Sequence, residues 1–169
     1  MAKYKIKENE DFNVLNEPPA AYENYNLPVF SKSILYNTGD KVPEYKLASF
    51  EKMAILHSGL KKTNLENLKS RAELDYDKLS IALSVTRATL INKKGNETYS
   101  DTVSERILAL SDLYSYGYKV FEDEAKFNDW MFRANKALAG KTPYDIVDNQ
   151  FGREEIKNLI GRIEYGVYS

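Results

Sequence analysis

The sequence predicts an all-α protein with an extended N-terminal arm. From Ser49 onward, apolar residues recur at intervals of three and four, which is the spacing of amphipathic helices. Four of the five prolines lie within residues 1–48, so no long helix is expected there. Of the 169 residues, 43% are hydrophobic and 29% are charged, a balance that favours a packed core over global disorder.

Composition also excludes several classes of function. The chain has no cysteine and one histidine, so disulfides, thiolate nucleophiles and paired Cys or His metal ligands are not expected. No apolar run approaches the roughly 18 residues of a membrane span, and no apolar segment follows the basic N-terminus as in a signal peptide. We therefore expect a cytoplasmic protein with no membrane partner, no metal and no cofactor.

Charge is distributed unevenly along the chain. Residues 61–96 contain eight basic and four acidic residues, a balance of +4, whereas residues 121–169 contain seven basic and nine acidic residues, a balance of −2. A basic middle and a mildly acidic end suggest two surfaces with different partners.

Residues 1–48 are predicted to be an extended or partly disordered arm. Residues 3–7 alternate like a strand, and residues 27–30 and 34–36 are short apolar patches. One interpretation is an arm with local docking points. The other is a partner-binding arm with aromatic anchors, namely Tyr22, Tyr25, Phe30 and Tyr36.

The first predicted helix is capped by Ser49 and stops at Gly59. Its apolar face is expected to consist of Phe50, Met53, Ala54 and His57. No group that could orient or react with an imidazole is identifiable near His57. We therefore interpret it as a core or boundary residue and not as a catalyst.

Two further helices are predicted between residues 63 and 83. Thr63 and Glu66 have the spacing of a capping box. Asp75 is placed to cap the following helix. The buried positions are expected to be Leu65, Leu68, Ala72, Leu79, Ala82 and Leu83.

Residues 76–94 have the pattern of a helix-turn-helix, with Ser80 at the close approach of the two helices and Ser84 in the turn. The second helix, from Thr86 to about Lys94, presents polar and basic side chains outward, which is typical of a helix that contacts DNA bases and phosphates. The candidate DNA-binding residues are Thr86, Arg87, Thr89, Asn92, Lys93 and Lys94. The alternative is an ordinary helical hairpin with a solvated basic face.

A long helix is predicted from Ser100 or Asp101 to about Phe121. Its apolar residues alternate at spacings of four and three, which indicates a long helical contact. They are Val103, Ile107, Leu110, Tyr114, Gly117 and Phe121. The contact is either with the chain's own core or with a second copy of the chain.

The C-terminal part is predicted to contain three more helical segments. Acidic residues 122–124 open the first, and its apolar face includes Phe127, Trp130 and Met131. Thr142 and Pro143 fit the start of a short helix. The last helix runs from about Gly152 to Tyr165, with acidic residues in its first turn and an apolar stripe of Ile156, Leu159, Ile160 and Ile163.

No set of residues with the pattern of an enzyme active site is found. Paired carboxylates fall at predicted helix starts, where capping accounts for them. No glycine-rich loop follows a strand, and the serines and threonines lack a candidate base. We expect no catalytic residues and no enzymatic activity.

From about Leu65 to its end, the chain resembles the Xre/MbcA/ParS antitoxins. The first half of the resemblance is the helix-turn-helix pattern, although antitoxins of this kind usually have smaller residues than Ser80 and Ser84. The second half is more specific, and its elements occur in the family's order and spacing. They are residues 120–124 (VFEDE), Trp130, residues 135–143 (NKALAGKTP), residues 145–147 (DIV) and residues 159–167 (LIGRIEYGV).

The resemblance implies an Xre-like helix-turn-helix domain at residues 49–120 and a toxin-binding domain at residues 121–169. It implies a type II antitoxin that neutralises an NAD-consuming toxin with a RES domain by blocking the toxin's active site. Such antitoxins usually act as dimers within a larger complex and repress their own operon by binding operator DNA. The candidate toxin-binding residues are Arg162, Glu164, Tyr165, Gly166, Val167, Tyr168 and Ser169.

Arg162 and Glu164 lie off the apolar stripe of the last helix, so both are expected to be free to face a partner. The alternative function is a stand-alone helix-turn-helix regulator whose C-terminal part dimerises or senses a ligand. A gene for a RES-domain protein beside this one would favour the antitoxin.

Overall fold

The computed structural model describes residues 32–36 and 41–167. Within these ranges the chain forms seven α-helices and no β-strand, which confirms the predicted all-α class. The helices are α1 (Ser49–Ser58), α2 (Lys62–Arg71), α3 (Tyr76–Ala82), α4 (Arg87–Ile91), α5 (Asp101–Phe121), α6 (Glu124–Met131) and α7 (Gln150–Glu164). None of these helices combines the length and the apolar character that crossing a membrane requires.

Helix α5 is the centre of the fold. Helices α1, α6 and α7 pack against it, together with a 3₁₀ turn at Glu44–Lys46. The first five residues of its predicted seam are buried, and Phe121 packs against their edge. The seam therefore contacts the chain's own core, as the first of the two alternatives proposed.

Helices α2 and α3 bury the six predicted apolar positions, and Asp75 caps α3 by accepting a hydrogen bond from the Lys78 backbone N–H at 2.7 Å. The predicted cap of α2 is wrong. The helix begins two residues earlier, after Lys61, whose backbone N–H donates to Asn64 Oδ1 at 2.9 Å. Glu66 instead accepts a hydrogen bond from the Tyr76 hydroxyl.

The predicted buried face of α1 is also wrong. Phe50 is 84% exposed, and Met53 and His57 are exposed as well. The side that turns inward carries Ile55 and Leu56, which pack at the edge of the core. Spacing alone did not identify this side, because both sides of α1 carry apolar residues.

Part of the predicted arm packs into the core. Ile34 and Leu35 are fully buried, and the carbonyl of Leu35 accepts hydrogen bonds from the Asn64 and Asn67 side chains at 3.0 and 2.9 Å. The buried carboxylate of Glu44 accepts from the backbone N–H groups of Ile34 and Leu35, each at 3.0 Å. Residues 3–7, 27–30, Tyr22 and Tyr25 lie outside the described residues.

One hydrophobic cluster extends from Ile34 to Ile160. It includes residues from both predicted domains, 49–120 and 121–169, and from the arm. The predicted boundary between the two domains, at residues 120 and 121, falls at the end of α5. The assignment of different functions to the two parts stays a prediction.

Two glycines allow the C-terminal helices to approach their neighbours. A Cβ on Gly117 would lie 2.2 Å from the ring of Phe127, so α5 and α6 meet only because this side chain is absent. A Cβ on Gly152 would lie 1.5 Å from the carbonyl oxygen of Ile146. These contacts set the positions of α6 and α7.

The start of α7 differs from the prediction by two residues. Asn149 caps the helix through its Oδ1, which accepts from the Gly152 N–H at 3.0 Å. Glu154 and Glu155 are therefore beyond the first turn, and no acidic residue lies in that turn. The 3₁₀ turn Pro143–Ile146 begins as predicted, with Thr142 as its cap and Pro143 directly after it.

Candidate functional site

The C-terminal end of α7 is held against α5 by its apolar stripe. Ile156, Leu159 and Ile160 are buried, and Ile163 is half-buried. The stripe repeats at helical spacing, so one face of α7 packs while the opposite face stays in solvent. The chain after Glu164 therefore leaves the body from a fixed point.

The helix ends in a Schellman motif. The Val167 N–H donates to the Arg162 carbonyl at 2.9 Å, and the Gly166 N–H donates to the Ile163 carbonyl at 3.2 Å. Gly166 has φ +66°, a left-handed conformation that costs glycine little. The motif gives residues 165–167 a defined conformation beyond the last helical turn.

Glu164 is not free to face a partner, contrary to the expectation from its place off the stripe. Its carboxylate pairs with the Lys119 ammonium and accepts a hydrogen bond from the Tyr116 hydroxyl at 2.6 Å. Lys119 and Tyr116, both on α5, lower the pKa of Glu164 through these bonds. Glu164 therefore ties the last turn of α7 to α5, which no spacing in the sequence indicated.

The remaining described residues of the predicted toxin-binding set face solvent. Tyr165 is 80% exposed and Val167 is 57% exposed. Arg162 is exposed, and its nearest ion-pair partner is Glu155 at 3.9 Å. Tyr168 and Ser169 lie outside the described residues. The end of α7 thus presents an aromatic ring, an aliphatic side chain and a guanidinium.

A second set of ion pairs holds the middle of α7 against α5. Asp112 on α5 is buried and forms ion pairs with Lys52 of α1, at 2.6 Å, and with Lys157 of α7. Two cations around one buried carboxylate compensate for its loss of hydration. Spacing in the sequence did not predict this cluster. The available signal was an aspartate within the largely apolar α5.

Five of the six predicted DNA-binding residues, in and around α4, are exposed, and the sixth, Lys93, is half-buried. Thr86 caps this helix by accepting from the Thr89 N–H at 3.2 Å. The helix ends at Ile91, three residues before the predicted end, so Asn92, Lys93 and Lys94 belong to the following loop. A shallow depression on this surface is lined by Thr86, Ala88, Thr89, Asn92, Lys93 and Glu97.

Arg87, the first residue of α4, pairs with Asp77 of α3 at 3.0 Å. Both side chains are mostly exposed, so the pair contributes little to stability and the guanidinium can exchange partners.

Ser84, in the turn between α3 and α4, has φ +49°. This left-handed conformation favours glycine over serine. Its hydroxyl donates to the Asp148 carbonyl at 3.0 Å and so links the turn to the segment before α7.

Comparison with known proteins defines the class to which this fold belongs. Residues 117–166 match the family described as the antitoxin Xre/MbcA/ParS C-terminal toxin-binding domain. The match covers the last turn of α5, all of α6 and α7, and the first two residues after α7. The class is therefore that of antitoxins, and the partner of its C-terminal part is a cognate toxin.

Two curated relatives extend the similarity over most of the chain. The antitoxin Xre of Photorhabdus laumondii is 30% identical over 118 residues, which is 69% of this chain and 80% of the relative. The Prs ADP-ribosylating antitoxin of Sphingobium is 22% identical over 136 residues, 74% of this chain and 85% of the relative. The chain belongs to the Xre/MbcA/ParS family of antitoxins.

Proposed function

We propose that this chain is the type II antitoxin of a RES-domain toxin and that its C-terminal turn blocks the toxin's active site. The observation that carries the proposal is the solvent-exposed end of α7, where Tyr165 and Val167 project beyond a helix fixed by Glu164. Tyr and Arg are the residue types most enriched at interface hot spots. A rigid helix that presents them loses little entropy on binding.

One relative supports toxin chemistry that uses NAD. The name of the Sphingobium protein refers to ADP-ribosylation, a reaction whose usual donor is NAD. An active site for NAD must accept a large polar ligand, and such a cleft is wide enough for a helix end with an aromatic ring. We infer that this chain neutralises a toxin by occupying a cleft of this kind.

A co-expression experiment tests this proposal. The chain is produced with the RES-domain protein encoded beside it, and the purified complex is analysed by mass and by NAD consumption. We expect a stable complex that leaves NAD intact, whereas the toxin alone consumes it. A complex that forms but still consumes NAD at the full rate would show that the chain binds the toxin away from its active site.

We further propose that residues 49–120 bind operator DNA through a helix-turn-helix made by α3 and α4, so that the complex represses its own operon. The exposed polar surface around α4 and the +4 balance of residues 61–96 support this proposal. Phosphate neutralisation by such cations supplies much of the affinity of DNA-binding proteins. A homodimer, which we also propose, would place two copies of this surface on a two-fold symmetric site.

Replacing Arg87, Lys93 and Lys94 together with alanine is expected to weaken operator binding about 100-fold. Each lost phosphate contact should also reduce the slope of log affinity against log salt by about 1. Fluorescence anisotropy with operator DNA at several salt concentrations measures both effects.

The matched control replaces three exposed cations in and after α6 with alanine, namely Lys126, Arg133 and Lys136. It makes the same change in net charge and is expected to leave the salt slope unchanged. If both triple variants weaken operator binding equally, only the net charge of the chain matters. If neither weakens it, the basic surface around α4 does not contact DNA.

A further inference from the structure

The N-terminal segment before α1 lies beside the end of α7. The Tyr45 backbone N–H donates to the Ser115 hydroxyl oxygen of α5 at 2.9 Å. The ring of Tyr45 also packs on that of Tyr116, with centroids 6.2 Å apart and planes tilted by 39°. Tyr116 is the residue whose hydroxyl binds Glu164, so Tyr45 is one side chain away from the last turn of α7.

Lys119 connects the same groups. Its ammonium pairs with the Glu164 carboxylate, and this hydrogen bond raises the pKa of Lys119. Lys119 follows Tyr116, on which Tyr45 packs, by about one helical turn, and its partner Glu164 directly precedes Tyr165. The ion pair therefore connects the two segments that carry these tyrosines. Lys119 is already paired with Glu164, so it does not leave an unpaired charge at the centre of the surface.

The segment also exposes side chains suited to an interface. Val42 and Lys46 are exposed, and the Lys46 ammonium lies 5.8 Å from the centre of the Tyr45 ring. Tyr45 itself is half-buried, which holds its ring in place while leaving part of it accessible. Rings that are already ordered lose little entropy when a partner covers them.

We propose that residues 42–46 and residues 165–167 form one continuous docking surface for the toxin, centred on the Lys119–Glu164 ion pair. We assign the toxin to this surface because the surface is continuous with the matched toxin-binding domain. Lys119, Glu164 and Tyr165 belong to that domain. Tyr45 borders them, although it precedes the domain by about 70 residues. The inference rests on the proposed role of the C-terminal turn. It adds a second chain segment to the part of the antitoxin that the toxin contacts.

Alanine substitution and photo-cross-linking test this surface in the full-length chain. Tyr45→Ala is expected to weaken binding of the neighbouring RES-domain toxin about 30-fold, the effect of an ordinary interface hot spot. Because this substitution also removes packing on Tyr116, a second variant carries benzoylphenylalanine in place of the exposed Lys46. Irradiation of its complex is expected to cross-link the chain to the toxin.

The matched control is Phe151, an aromatic residue that is 80% exposed, like Tyr165, but lies at the other end of α7. Tyr165 follows Phe151 by 14 positions, which correspond to about 21 Å along a helix. Phe151→Ala should change toxin affinity less than twofold, and benzoylphenylalanine at position 151 should give no toxin cross-link.

The outcomes separate this inference from the proposed function. Loss of affinity in Tyr165→Ala, with wild-type affinity in Tyr45→Ala and no cross-link from position 46, would overturn the inference and leave the blocking turn in place. Wild-type affinity in both alanine variants would contradict the proposed function itself. A cross-link between two copies of the chain in place of the toxin would assign residues 42–46 to a dimer interface and overturn the inference.

Discussion

Removal of residues 165–169 is expected to abolish toxin neutralisation while the protein stays folded. The deleted residues include Tyr165 and Val167, which are exposed and contribute little to the core. The ion pair of Glu164 with Lys119 is retained, so α7 stays tied to α5. If Tyr165 and Tyr168 each act as a hot spot of about 2 kcal/mol, toxin affinity falls about 1,000-fold.

Two measurements check this result. Growth after toxin induction reports neutralisation, and thermal unfolding followed by circular dichroism reports the fold. The shortened chain loses the two hydrogen bonds of the Schellman motif, so we expect its stability to fall by only about 1 kcal/mol. Cells that remain protected by the shortened chain would show that a wider surface, and not the C-terminal turn, inhibits the toxin.

Gly152→Ala is expected to have the largest effect on stability of any single substitution considered. The added methyl group would lie 1.5 Å from the carbonyl oxygen of Ile146 and 2.6 Å from its carbonyl carbon. Both are backbone atoms, so no side-chain rotation relieves the clash and the start of α7 must move. We expect a loss of about 3 kcal/mol in the free energy of unfolding, and a loss of neutralisation because α7 carries the C-terminal turn.

Gly161→Ala is the matched control on the same helix. Its added methyl group would meet only the Tyr116 hydroxyl oxygen, at 3.5 Å, which is an ordinary contact. Replacing a glycine inside a helix with alanine usually stabilises the helix by about 0.5–1 kcal/mol. Urea denaturation of the two variants should therefore give opposite signs. Unchanged stability in Gly152→Ala would show that α7 does not start against Ile146 as described.

The sequence predicted the secondary structure well wherever local signals were strong. The caps at Asp75 and Thr142 were found, as were the starts of α4 at Thr86 and of α5 at Ser100, and the seam of α5. These features depend on residues within one or two turns of each other, and their chemistry is readable from spacing. The cap of α2 was missed because Asn64, and not the expected Glu66, completes it.

The toxin-binding end was predicted more from family resemblance than from physical signals. The spacing of the apolar residues placed Glu164 off the stripe, and this predicted a carboxylate without a partner inside the chain. Its actual partners, Tyr116 and Lys119, are 48 and 45 residues away along the chain. The prediction for α1 chose the wrong buried face for a similar reason. Lys52 lies on the face that turns inward, and its partner, Asp112, is 60 residues away along the chain. A pattern within one helix carries no information about such distant partners.

The sequence by itself determined that this chain is helical from residue 49, where its helices begin, and that its C-terminal part belongs to a family of toxin-binding antitoxins. Periodicity and capping depend on residues close together in the chain, so they can be recognised in a single sequence. Only the tertiary structure decided which charged residues form ion pairs between helices and which remain exposed for a partner. It also brought Tyr45 next to the end of α7, because α5 contacts both segments at once. The surface that we propose for the toxin therefore exists only in the folded chain.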